Sequence, residues 1–65
     1  MIKLRDVMAV MPQGEPVAIK YEWTRTFTCT PENKKAWEVY ADKVVWRLTT
    51  ATVYRDCYIL IKLED

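Results

Sequence analysis

The run Cys57-Tyr58-Ile59-Leu60-Ile61-Lys62-Leu63 constrains this chain more than any other stretch. In an extended backbone side chains alternate, so Cys57, Ile59, Ile61 and Leu63 share one face while Tyr58, Leu60 and Lys62 share the other. One face is wholly apolar and the second is apolar until Lys62. That is the pattern of a strand inside a sheet. The other segments must then act as its neighbours or its cover. Sixty-five residues form one domain, spanning 1–65, near the lower size at which a chain folds without metals or disulfides.

Upstream, Leu4, Val7, Met8 and Met11 recur at helical spacing, which gathers them on one side of a short amphipathic helix. Pro12 stops it, and Pro12-Gln13-Gly14-Glu15-Pro16 is the clearest loop signal in the chain. Val17, Ile19, Tyr21 and Trp23 then alternate with Ala18, Lys20 and Glu22, the pattern of a strand with one buried face. From Thr24 to Thr30, Arg25, Phe27 and Cys29 share a face opposite four threonines. These two stretches form a hairpin or, lacking a tight-turn dipeptide, one long bent strand. Thr30-Pro31-Glu32-Asn33 reads as a helix start, with a hydroxyl N-cap and proline at the first helical position. The expected helix runs to about Asp42, with Trp37 and Tyr40 clamping it onto the sheet.

From Lys43 the period returns to two, with Val44, Trp46 and Leu48 pointing one way and Val45, Arg47 and Thr49 the other. A turn centred on Arg55-Asp56 sets Leu48 opposite Leu63, Thr50 opposite Ile61 and Thr52 opposite Ile59. Arg-Asp suits such a turn poorly, so a longer loop or a bulge between Ala51 and Asp56 is the alternative. The sum is an α+β domain of order α-β-β-α-β-β, with both helices on one face of a four-stranded, mainly antiparallel sheet. The last strand is expected beside the first, with the Thr-rich and Val44 strands toward the edges.

Chemistry finds little to work with. The chain has no histidine, its acids are scattered, and its single glycine excludes a phosphate-binding loop or dinucleotide fingerprint. Cys57 lies near Arg55, but opening an apolar strand it reads as a small core residue and not as a reactive thiol. Without histidine or a Cys-x-x-Cys pair a zinc site lacks ligands, so neither metal nor cofactor is expected and the chain is read as no enzyme. Cys29 and Cys57 could pair, yet a lone pair without a secretion signal reads as two reduced thiols. No apolar run is long enough to span a bilayer, and a cytoplasmic location is expected.

Binding is better supported. If both helices cover the face carrying Ile59, Ile61 and Trp46, no segment remains for the opposite one. That face is expected to show Val45, Val53, Tyr58 and Leu60 flanked by Lys20, Arg47 and Lys62. An apolar, aromatic centre within a charged rim is how protein interfaces are composed. The candidate partner-binding residues are therefore Lys20, Val45, Arg47, Tyr58, Leu60 and Lys62. The bland alternative is a modestly apolar solvent face shielded by long basic side chains. A nucleic-acid platform could use the same residues, with Tyr58 stacking a base, although Glu22 and a net charge of +1 weigh against it. Self-association through this face is a further alternative.

The layout of Leu4-x-x-Val7-Met8-x-x-Met11, the Pro/Gly loop, Val17-Ala18-Ile19 and the alternating run Tyr58 to Leu63 resembles the small accessory proteins of bacterial phages and prophages. The resemblance is one of layout over the whole length and carries no functional residue across. Proteins of this kind are mostly of unknown function, and some inhibit a host defence stoichiometrically, anti-CRISPR proteins among them, by masking a surface or mimicking a ligand, a class that a compact, non-catalytic domain with an uncovered face fits.

Overall fold

The computed structural model describes residues 1–21 and 26–64. Its elements are α1 (Leu4–Val10), β1 (Val17–Tyr21), β2 (Phe27–Cys29), α2 (Lys34–Trp37), a 3-10 turn at Glu38–Tyr40, β3 (Val45–Val53) and β4 (Asp56–Leu63). The sheet order is β2-β1-β4-β3, which makes β4 an interior strand. The expected extension of β1 to Trp23, the start of β2 at Thr24 and the placements of Glu22 and Arg25 lie outside the described residues.

The sheet is mixed, not mainly antiparallel. β1 pairs antiparallel with β2, and β3 with β4, but β1 and β4 run parallel, with Val17 opposite Ile59 and Tyr21 opposite Leu63. The physical reason is the connection. The chain leaves β2, crosses the sheet through α2 and the 3-10 turn, and enters β3 in the direction of β2, so the two strands inside them must also agree.

α1 forms because Leu4, Val7 and Met8 lie on one side of it and are all buried. The Asp6 carboxylate accepts the Lys3 backbone N–H at 2.9 Å, closing the first turn. The core joins Leu4, Val7 and Met8 to Val17, Ile19, Trp37, Ile61 and Leu63. The shortest extent of the molecule is 18 Å. That accommodates one sheet and one covering layer, and no third.

The second helix is shorter than its sequence suggests. Thr30–Asn33 is a turn closed by Asn33 N–H to the Thr30 carbonyl at 3.0 Å, and α2 starts only at Lys34. Trp37 then takes φ −122°, which interrupts the α-helical ladder, and the chain tightens into the 3-10 turn. Its indole is 5% exposed and donates to the Pro31 carbonyl at 3.1 Å, so burying this ring takes precedence over helix continuation. Tyr40 follows, half-buried, its ring centroid 5.4 Å from Tyr21 and 5.7 Å from Phe27. Trp37 and Tyr40 thus fix the crossover to the sheet.

The β3–β4 register also departs from expectation, by two residues. Leu48 faces Ile61, Thr50 faces Ile59 and Thr52 faces Cys57, because the turn is centred on Tyr54-Arg55, with Tyr54 at φ 59°. A second departure is a bulge between Val45 and Arg47. Val45 N–H donates to the Ile2 carbonyl at 2.8 Å and Glu64 N–H to the Val44 carbonyl at 2.9 Å, so the start of β3 is held from both sides. The bulge absorbs one residue and changes which side chains reach which face.

Candidate functional site

The helical layer covers only one end of one sheet face. On that face Ile61 and Leu63 are buried, Ile59 is half-buried, and Leu48 and Cys57 are exposed. Cys57 is therefore not the small core residue expected of it: the cover ends before the strand begins. Cys29 and Cys57 are both free thiols, and burial pushes the Cys29 thiol pKa up.

The opposite face carries Ala18 and Lys20 from β1, Tyr58, Leu60 and Lys62 from β4, and Arg47, Thr49 and Ala51 from β3. Their shared face follows from the ladders: Ala18 pairs with Leu60 and Leu60 with Thr49, while Tyr58 pairs with Ala51. Five of the six residues expected at the site are brought together here. Val45 is not. It pairs with Leu63 and packs against the core, because the bulge turns it to the helical side.

Trp46 takes the place that Val45 leaves. Expected in the core, it is 54% exposed, with the Lys62 ammonium 5.7 Å from its ring centroid. The signal for this swap was present as three consecutive apolar residues, Val44-Val45-Trp46, which break strict alternation. The side chain of Val53, also expected on this face, lies outside the described set.

Sequence spacing could not reveal the cross-strand alignment of charge. Lys20 stands directly beside Lys62, and Lys62 directly beside Arg47. Three cations on neighbouring strands thus form one row spanning roughly 10 Å. Like charges in directly opposed positions are unfavourable, and among the described residues the one ion pair is Arg5 with Asp42, on the other side of the molecule. The adjacent row is Ala18, Leu60 and Thr49: Ala18 is fully buried, and half-buried Leu60 is its accessible apolar side chain.

A groove of about 710 Å³ opens between α1 and α2, over Met8 and Trp37, with the Arg5–Asp42 pair and Lys34 at its rim. It mixes both signs of charge and holds no thiol. Among the described residues, no three Cys, Asp or Glu side chains are grouped as metal ligands. No helix of the described residues is long and apolar enough to cross a membrane. No protein-family model, no curated protein and no solved structure matches the chain.

Proposed function

We propose that this protein is a small, non-catalytic, intracellular binding module that occludes a partner protein through the uncovered sheet face. The observation that carries this reading is the pairing of an accessible apolar side chain, Leu60, set between Ala18 and Thr49, with a cationic row, Lys20-Lys62-Arg47, on a face that no segment of the described chain covers. Trp46 and Tyr58 add aromatic area at its ends. Aromatic and arginine side chains dominate the energetics of protein interfaces, and an acidic partner surface would relieve the repulsion within the row. Layout resemblance to phage accessory proteins supports a host protein as the target and inhibition as the outcome, in the manner of anti-CRISPR proteins, within the bacterial cytoplasm.

The test is capture from a bacterial lysate by wild-type protein, by Leu60→Asp and by Tyr58→Ala, each shown by circular dichroism to be folded. A protein retained by wild type and lost with both variants supports the reading. Retention unchanged by either variant refutes the assignment of the face.

The cationic row favours a second reading, a single-stranded nucleic-acid regulator in which Trp46 and Tyr58 stack bases and the row meets phosphates. Its mark is an affinity for an oligonucleotide that falls steeply with salt.

A further inference from the structure

We infer that the free edge of β3 pairs with the same edge of a second copy, joining two sheets into one of eight strands about a two-fold axis at Thr50. This rests on the edge and its charges and does not depend on the function proposed for the face. β3 ends the sheet, and the N-terminal segment guards only its start, where Val45 bonds to Ile2. From Leu48 to Val53 the strand carries no charge, no proline and no bulge, the devices by which edge strands avoid partners.

Three features of the edge fit a second copy of this chain. First, a two-fold axis normal to the sheet keeps each face continuous, so the helical layers of both copies lie on the same side. Leu48, on that side, is 54% exposed, so the helical layer does not overhang β3 there. Second, an axis at Thr50 sets Thr50 against its own copy, Leu48 against Thr52 and Thr49 against Ala51. Threonine pairs are favourable cross-strand neighbours, and no like charges meet. Third, this register matches charges at both ends. Arg47 of one copy lies opposite Val53 of the other, and Val53 is paired within its own hairpin to Asp56. Arg47 and Asp56 lie on the same sheet face, so each Arg47 stands two strands, roughly 10 Å, from the Asp56 of the other copy. That is within reach of an extended arginine. An axis at Thr49 would instead set Arg47 toward Tyr58, and an axis at Ala51 would carry it beyond the strand.

Light scattering after size exclusion, across micromolar to millimolar concentrations, tests this. Wild type is expected at twice the 7.7 kDa of one chain. Thr50→Lys places two ammonium groups across the axis and is expected to elute as a folded monomer. Arg47→Asp and Asp56→Arg each set like charges at both ends, and each is expected to weaken the dimer about tenfold or more, while the double reversal restores it. A wild-type monomer throughout overturns the inference, as does a dimer that survives Thr50→Lys. Should Thr50→Lys fail to fold, the charge reversals decide alone: failure of the double variant to recover overturns this register. A dimer broken by Leu60→Asp but not by the edge variants assigns self-association to the face and overturns it too.

Discussion

Trp37 joins the crossover to the core, and its replacement separates two contributions. The ring is 5% exposed and its Nε1–H donates to the carbonyl of buried Pro31 at 3.1 Å. Trp37→Ala removes the ring and the bond, and large aromatic truncations of this kind cost about 3–5 kcal/mol. A 65-residue domain has a total stability of roughly 3–10 kcal/mol, so the alanine variant is expected to be largely unfolded or close to it. Trp37→Phe keeps most of the buried area and loses the donor. An unsatisfied buried carbonyl costs about 1–3 kcal/mol. Pro31 and Trp37 both border the groove between α1 and α2, so water can reach the freed oxygen and the lower part of that range applies. The expected loss is about 1–2 kcal/mol, or roughly 4–16 °C in Tm for a domain of this size. Urea and thermal unfolding followed by far-ultraviolet circular dichroism measure both. A phenylalanine variant as stable as wild type would refute the role of the bond, and an alanine variant losing under about 1 kcal/mol would refute the placement of the ring in the core.

Tyr54 occupies the left-handed region at φ 59° and is 97% exposed, so Tyr54→Gly relieves strain without losing contacts; a gain of about 0.5–1 kcal/mol in thermal unfolding is expected. With a thiol-specific disulfide reagent at neutral pH, exposed Cys57 is expected to react fast and half-buried Cys29 slowly, and Cys57→Ser should abolish the fast phase. Because burial raises the Cys29 pKa, the unfolded chain releases that proton first. Stability attributable to Cys29 is then intact below the ordinary thiol pKa and declines as pH rises from there toward the higher folded pKa, a decline that Cys29→Ser should remove from a pH series of unfolding curves. If single-stranded nucleic acid is the ligand, the three cations of the row predict a slope of about −2 in log K against log salt, or roughly a 20-fold loss between 50 and 200 mM; Lys62→Gln should flatten it by about 0.7.

Much of the fold was legible in local pattern. The interior position of β4 follows from its two apolar faces, and α1 from the spacing of Leu4, Val7 and Met8, because period reports burial directly. The shortfalls have physical causes that act between segments. Pro31 looks like a first helical residue, but its carbonyl is taken by the Trp37 indole, and a tertiary anchor overrode local capping chemistry. The parallel β1–β4 pair depends on the direction of a crossover, which no local pattern encodes. At the site, period two placed Arg47, Tyr58, Leu60, Lys62 and Lys20 on one face but failed for Val45 and Trp46, since a single bulge exchanges the faces of every residue before it. The row Lys20-Lys62-Arg47 needed a register across three strands and so could not be read from any one of them.

The most direct test of the central claim, that the uncovered sheet face is the contact surface, is affinity capture from a bacterial lysate with and without nuclease, read by mass spectrometry. Wild type, Leu60→Asp and a charge control at exposed Val39, Val39→Asp, are compared side by side. The expected result is one protein retained by wild type and Val39→Asp in both arms and lost with folded Leu60→Asp. Retention of the same protein by Leu60→Asp contradicts the account, and loss of all retained material on nuclease treatment transfers the face to nucleic acid.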